Sequence, residues 1–274
     1  MPYKFGIDSY QLAAGQVIDN NMLSQIDFQI VRIGTHGYGG MGTASWYSRG
    51  FSVDAYCRQN IIATQNYGLP CGVYVFSYAW DATSAQREAD EVCDVLDGWG
   101  LTTRLPIFID WESAGVGSVG SYEMFQRLIG HQITPSELQT IFEAFCARVS
   151  ARGRTVGWYT NRWFTPNWTT PAWTAYMRQN GYFFWLASWT YASDPDTPCD
   201  VWQYAGDRQW NGITVDYNYI INDDVIDPTP APPVPPDPPP TPPDPPSPTS
   251  NIPIWLALKM SKGSEKNAKC ALLL

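Results

Sequence analysis

The chain has 274 residues, two histidines, six cysteines and a formal net charge of −9. An acidic balance, 26 Asp and Glu against 17 Lys and Arg, excludes the basic patch that nucleic acid demands, so no nucleic-acid partner is expected. With no CxxC spacing and so few histidines there is little material for a zinc site or a Ser-His-Asp triad, and neither metal nor cofactor is expected.

The chain opens "MPYKFGIDSY". This reads as the start of a strand rather than a secretory leader, so the protein is expected to be made in the cytoplasm with its cysteines reduced and buried. No apolar run is long enough to span a membrane. Taken in order, apolar β-rich runs fall at 4–10, 28–34, 71–79, 105–112, 155–161, 183–188, 199–205 and 212–220. Near-continuous apolar strands suit a sheet covered on both faces.

Helical signals lie between the early strands. A weak one covers 18–26. The next takes Ser52 as its cap and Gly68 as its stop. A third starts at Thr83 or Ser84. The clearest begins at Thr134, with Pro135 in the first turn, Glu137 completing a capping box and Gly153 ending it. "TPAWTAYMRQNG" repeats the Thr-Pro start and Gly stop.

The order is five strand–helix units followed by three strands. It predicts an α/β fold, a modified TIM-like barrel with eight strands in all. The last three strands, joined by short connections, are expected to pair antiparallel. The barrel should occupy residues 1–226. The run "DPTPAPPVPPDPPPTPPDPPSPTS", 227–250, cannot form helix or sheet ladders and reads as an extended linker. Residues 251–274 form a short basic tail of unknown role, whose four lysines and one glutamate leave −12 on the rest of the chain.

"LPIFIDWES" puts two carboxylates, Asp110 and Glu112, at the end of an apolar strand. Burying a carboxylate is costly unless it is paired or used. Being two apart, they leave the strand on the same face, with Cα atoms about 6.6 Å apart. Asp8 ends the first strand and Asp216 lies on the last, which a closed barrel makes neighbours. A lone strand-end acid would be read as a loop cap or as an ion-pair partner of Arg32 or Arg104. Four at one barrel mouth argue against that reading, and two carboxylates at the Asp110–Glu112 spacing are the equipment of glycoside hydrolysis, with Glu112 as the acid. Flat aromatic faces suit pyranose rings, and Tyr74, Tyr159, Trp185, Trp111 and Tyr217 are the candidate sugar contacts, while Phe76 and Trp202 read as core. "GVGSVG", 115–120, matches a dinucleotide fingerprint, but Glu112 to Ala114 separate it from the strand and the following segment reads as loop. A chitinase-type D-x-x-D-x-D-x-E motif would need acids where Leu105 and Phe108 stand.

The blocks "FGIDSYQ", "IVRIG", "GVYVFSYA", "PIFIDWE", "GWYTN", "FWLASW", "DVWQYA" and "VDYN" appear in that order. They resemble the signature blocks of glycoside hydrolase family 25, the Chalaropsis-type lysozymes, over residues 5–220. The resemblance implies an N-acetylmuramidase that cuts the β-1,4 bond between N-acetylmuramic acid and N-acetylglucosamine with net retention, acting alone as a monomer on peptidoglycan glycan strands. It implies catalytic roles for Asp8, Asp110, Glu112 and Asp216. Glu112 matches the family's acid/base, and Asp110 matches the residue that assists the substrate's acetamido group or stabilises the oxocarbenium ion. The loop after Asp8 is shorter than usual, Val75 stands where many members have His, and Trp111 replaces a smaller aliphatic. A lysozyme barrel with a linker and a tail resembles a phage or prophage endolysin, released to the bacterial wall when the membrane is breached. The alternatives are a bacterial wall-remodelling muramidase and a catalytically inactive peptidoglycan-binding barrel.

Overall fold

The computed structural model describes residues 3–10, 18–36, 50–113, 119–165, 167–189, 195 and 197–229. The chain divides into two units, Met1–Val234 and Pro235–Leu274. The proline-rich run from residue 230 onward, the basic tail and most of the glycine loop at 115–120 lie outside the described residues.

The strands are β1 (Lys4–Ser9), β2 (Phe28–His36), β3 (Phe51–Val53), β4 (Cys71–Phe76), β5 (Ile107–Asp110), β6 (Val156–Asn161), β7 (Phe183–Ala187), β8 (Val201–Trp210) and β9 (Ile213–Ile220). The helices are α1 (Asn20–Leu23), α2 (Cys57–Tyr67), α3 (Ala82–Trp99), α4 (Ser121–Ile129), α5 (Pro135–Ala151) and α6 (Pro171–Gln179). Eight strands close in the order β1-β2-β4-β5-β6-β7-β8-β9, with β9 returning to β1. This is the α/β barrel of five β/α units and three further strands that the sequence predicts. The ninth strand, β3, adds antiparallel to β2 outside the ring.

Pairing around the ring is parallel from β1 to β8, and β9 alone runs antiparallel, to both β8 and β1. The expectation that the last three strands all pair antiparallel is therefore wrong for β7 and β8. Residues 188–200 separate them, which is long enough to carry the chain back to the start of the barrel. A hairpin is forced only where two residues join the strands, at β8 to β9.

Alternation along each strand builds two layers of core. Ile107 and Ile109 of β5, Val73 and Val75 of β4, and Phe184 and Leu186 of β7 face the helices. There they meet Ala85, Ala89, Val92 and Leu96 of α3 and Leu138, Ile141, Phe145 and Val149 of α5. The opposite faces give a second cluster inside the ring, built from Phe108, Tyr74, Tyr159, Trp185 and Val201. Gly157 is part of that filling: a Cβ there would sit 2.6 Å from the Phe108 ring and 2.2 Å from the Phe183 carbonyl.

Helix ends follow their chemistry. Thr134 accepts from Glu137 N at 3.3 Å, and the Glu137 carboxylate accepts from Thr134 N at 2.8 Å, as the capping box predicts. Thr170 caps α6 ahead of Pro171, its Oγ1 accepting from Trp173 N at 3.3 Å with no reciprocal bond. Three expectations are corrected. Ser52 lies in β3, and α2 begins at Cys57 after Tyr56 in the left-handed region, with no side-chain cap. The third helix is capped by Asp81 rather than started at Thr83 or Ser84. The segment after the glycine loop, read as loop, forms α4, with Glu123 reaching back to Gly120 N. No helix among the described residues is long and apolar enough to cross a membrane.

Candidate active site

Asp8 and Asp216 sit directly opposite each other across the β1–β9 pair. Asp110 is the last residue of β5, beside Phe76 of β4. Glu112 follows two residues later, its backbone fixed on both sides. Its N–H donates to Ser121 Oγ at 3.2 Å, and its carbonyl accepts from Tyr122 N at 3.2 Å. All four carboxyls line one cleft of about 770 Å³, open at the mouth of the barrel. The sequence thus names the acids that the fold brings together.

The aromatic candidates divide by strand parity. Tyr74, Tyr159 and Trp185 point inward and line the cleft floor. Their rings interlock edge to face, Tyr74 to Trp185 at 5.6 Å and Tyr159 to Trp185 at 4.6 Å. Trp111 does not line the cleft. As the residue between Asp110 and Glu112 it faces the other way and is fully buried. Its ring meets Phe164 edge to face at 5.5 Å and its Nε1 donates to the Ala79 carbonyl at 2.9 Å. Tyr217 is displaced by the same rule. It follows Asp216 on β9 and packs on the outer face, edge to face with Phe5 at 5.2 Å. Trp202 is core, as read, while Phe76 lines the cleft instead.

Each carboxyl has its own surroundings. Asp8 is buried, and its Oδ1 accepts from Asn218 Nδ2 at 2.7 Å and Gln203 Nε2 at 3.0 Å. Trp185 Nε1 donates to Asn218 Oδ1 at 2.8 Å, fixing which end of that amide faces Asp8. Asp216 accepts from Asp207 N at 2.7 Å and Gln203 Nε2 at 3.3 Å. Glu112 Oε2 accepts from Tyr159 O–H at 3.3 Å and Asn161 Nδ2 at 3.4 Å. Asp110 differs: its Oδ1 is buried with no hydrogen-bond partner among the described residues.

Burial drives the titration of all four upward, because it penalises the charged form. Glu112 is raised to about 7, chiefly by burial and partly offset by its Asn161 and Tyr159 bonds. Asp216 is raised to about 6, again chiefly by burial. Asp8 rises through burial and then through Asp216; Asp110 rises through burial, then Glu112 and Asp8, with Arg32 opposing. Near neutral pH the cluster therefore retains protons, as a general acid requires. Among the described residues no group of three or more His, Cys, Asp or Glu is arranged to hold a metal ion.

Sequence reasoning missed several residues of the site. Gln203 bridges Asp8 and Asp216; its Oε1 accepts from Trp189 Nε1 at 3.0 Å and lies 3.2 Å from the Tyr159 hydroxyl, whose one proton it shares with Glu112. A polar residue inside the apolar run "CDVWQYA" was the available signal. Asn218, two past Asp216, was reachable by parity. Tyr10, Trp163 and Trp189 rise at the rim, 41%, 53% and 59% exposed. Glu88 is buried in α3, on the stripe of Ala85, Ala89 and Val92. It accepts from Ser77 Oγ at 2.5 Å and Tyr78 N at 3.1 Å. Ser77 N in turn donates to the Asp110 carbonyl at 2.8 Å, and the Ser77 carbonyl accepts from Ser121 Oγ at 2.5 Å. The backbones of both Asp110 and Glu112 are thus tied to one buried carboxyl.

A barrel of this kind, with buried carboxyls gathered at one mouth, defines the class: a glycoside hydrolase. The family model for glycosyl hydrolases family 25 matches residues 47–213, and the chain belongs to that family. The matched span contains Asp110 and Glu112, and the fold supplies Asp8 and Asp216 from outside it. No curated protein matches the chain. Among solved structures, the bacterial lysozyme of Streptomyces coelicolor is 21% identical, with a TM-score of 0.58, 83% of this chain covered and 98% of that one. The spore cortex lytic enzyme SleM of Clostridium perfringens is 21% identical at a TM-score of 0.60, covering 82% and 69%. The modular autolysin LytC of Streptococcus pneumoniae is 19% identical at 0.58, and the alignment covers 78% of this chain but only 46% of LytC. These likenesses are of fold.

Proposed function

We propose that the chain is an N-acetylmuramidase that hydrolyses the β-1,4 bond between N-acetylmuramic acid and N-acetylglucosamine in peptidoglycan, with net retention. The observation that carries the reading is the pair formed by Glu112 and Asp110. One carboxyl holds a proton near pH 7; the other presents a buried oxygen without a hydrogen-bond partner among the described residues. That oxygen suits the N–H of a 2-acetamido group, and the interlocked floor of Tyr74, Tyr159 and Trp185 suits the sugar above it.

Glu112 gives its proton to the glycosidic oxygen as the bond to C1 breaks. The acetamido carbonyl oxygen, turned by Asp110, closes on C1 from the opposite face. Glu112, now charged, takes a proton from water as the water reopens the ring and restores the original configuration. The substrate provides the nucleophile, an exception to the two-carboxylate scheme. Asp8 and Asp216 keep the floor negative and stabilise the positive charge that develops on the sugar.

The barrel acts as a monomer on glycan strands of the bacterial wall, with the proline run that follows Asp227 as a spacer to the basic tail. Linker, tail and barrel together favour a phage or prophage lytic enzyme over a wall-remodelling one. Purified peptidoglycan, digested and reduced with borohydride, should show new muramitol ends by mass spectrometry. Glucosaminitol ends, or no new ends, would overturn the proposal.

A further inference from the structure

A strand fixes its own residues through its ladder, but β5 ends at Asp110 and Glu112 lies beyond it. The acid must be held from elsewhere. Residues 77–79, directly after β4, supply much of that hold. Ser77 N donates to the Asp110 carbonyl at 2.8 Å. Trp111 Nε1 donates to the Ala79 carbonyl at 2.9 Å. Ser121 Oγ donates to the Ser77 carbonyl at 2.5 Å and accepts from Glu112 N at 3.2 Å. Asp110, Trp111 and Glu112, three consecutive residues, are thus all fastened to one short segment.

That segment is itself fastened by Glu88. The Glu88 Oε2 accepts from Ser77 Oγ at 2.5 Å, its Oε1 accepts from Tyr78 N at 3.1 Å, and Ser77 Oγ accepts from Ala79 N at 3.1 Å. Glu88 is fully buried and does not line the cleft. It stands on the face of α3 that carries Ala85, Ala89 and Val92, where an apolar residue would pack well. A carboxyl there is costly unless its oxygens are used. Both are used, and on adjacent residues.

We propose that Glu88 is a positioning residue for the reaction: through segment 77–79 it fixes where Glu112 stands relative to Asp110 and the cleft floor. The inference rests on the muramidase reading of the cleft, and deepens it. Glu88 itself touches neither sugar nor water in the cleft; it acts through hydrogen bonds that end on the backbones of the two working acids.

The test uses three variants at the two ends of the first link. Glu88→Leu suits the apolar stripe but leaves the Tyr78 N–H and the Ser77 hydroxyl without their acceptors. Ser77→Ala keeps the buried carboxyl and breaks its bond to the segment. Glu88→Gln keeps the length and an acceptor for Tyr78 N. Glu112 is faced by Asp8 from β1, Asp110 from β5, Tyr159 and Asn161 from β6, Asp216 from β9 and Glu123 from α4. All of these are unaltered in the variants, so a displaced Glu112 titration reports a change in its placement. The ¹³C-labelled Glu112 carboxyl, identified by its loss in Glu112→Gln, is titrated by NMR in each full-length variant, and kcat and KM are measured on solubilised glycan. In Glu88→Leu and Ser77→Ala the loosened segment admits water, so Glu112 should titrate about one pH unit lower than in wild type. Their kcat should fall about 10-fold with KM within about twofold, and Glu88→Gln should recover part of both losses. Arg152→Ala, which removes ion pairs from the same helix, should lower Tm with neither readout moved. A merely structural Glu88 would behave like Arg152. An unmoved Glu112 titration in a Glu88→Leu protein that melts cooperatively overturns the proposal, as does an unchanged kcat or a loss carried by KM alone. Where Glu88→Leu does not fold, the same outcomes in Ser77→Ala overturn it. The NMR titration needs no turnover, so a wild-type protein that fails to cleave peptidoglycan would refute the muramidase reading separately.

Discussion

Among the described residues, an acidic cluster on α3 and the one at the barrel mouth behave in opposite ways. Asp90, Asp94 and Asp97 form one stripe along α3, spaced by a helical turn. Arg148 and Arg152 at the end of α5, with Arg154 just beyond it, meet them. Arg148 Nε lies 2.8 Å from Asp90, and Arg152 lies 3.1 Å from Asp90 and 2.8 Å from both Asp94 and Asp97. Arg154 also pairs with Asp97. Burial is the largest single influence on Asp90 and opposes its charge, but its two arginines together hold it below the usual range, and the Arg154 bond does the same for Asp97. At the barrel mouth, four carboxyls face one buried guanidinium, and all four are raised. The residue type is the same. Matched and wet, it fastens two helices; unmatched and dry, it stores protons for chemistry.

The largest effect should come from removing the stored proton. Glu112→Gln should lower turnover on peptidoglycan about 10³-fold, with a melting temperature equal to or above wild type, because a crowded acid is relieved. Wild-type turnover in this variant would make the mouth merely another acidic patch. Asp110→Asn keeps the shape but loses the charged acceptor, and should cost about 10²-fold in kcat through misorientation of the acetamido group. Unchanged kcat would remove Asp110 from the chemistry.

The pH dependence of stability sharpens the contrast, because the two clusters have opposite signs. An acid raised in the fold destabilises it as pH rises from the unfolded value through the folded one. For Glu112 that window runs from 4.5 to about 7. Asp90 and Asp97, lowered in the fold, contribute stability above their ordinary value of 3.8 and lose it as pH falls. Melting scans should therefore show wild type losing stability between pH 5 and about 7, and Glu112→Gln losing less. Parallel curves would contradict the buried-acid assignment. The smallest effect belongs to the paired cluster. Arg152→Ala should cost about 1 kcal/mol, a few degrees in Tm, because its partners are solvated. Its turnover should be that of wild type, and a variant defective in kcat would show that the helix seam and the mouth are coupled.

Asp8, Asp110 and Glu112 were legible because each sits at or beside the end of an apolar run, where a charge is conspicuous and the barrel rule gives it a direction; Asp216 lies midway along β9 and was legible because a closed barrel sets that strand beside β1. The same parity that selects Asp110 and Glu112 removes Trp111, and the parity that selects Asp216 removes Tyr217. Those two corrections were available from the strands themselves. Other features were not. Arg32 lies mid-strand in "IVRIG" and is paired by Asp54, which reaches it from the insertion after β3. Gln203 matters because Asp8 and Asp216 meet above it, a contact between opposite ends of the chain. The parallel β7–β8 pair depended on whether residues 188–200 turn or return, which no local propensity decides. Asp227, taken as the first linker residue, is bound by Arg104 at 2.7 Å, so the ordered barrel continues at least that far.

The central claim is that Glu112 acts as acid while Asp110 orients the substrate's own nucleophile, and product stereochemistry tests it most directly. Proton NMR of an early digest of a soluble glycan, recorded before mutarotation, should show the β-anomer of the new muramic acid end first, and intact mass should show no sugar on Asp110. An α-anomer appearing first would mean inversion and would contradict the account, and a trapped adduct on Asp110 would transfer the nucleophile's role from the substrate to the enzyme.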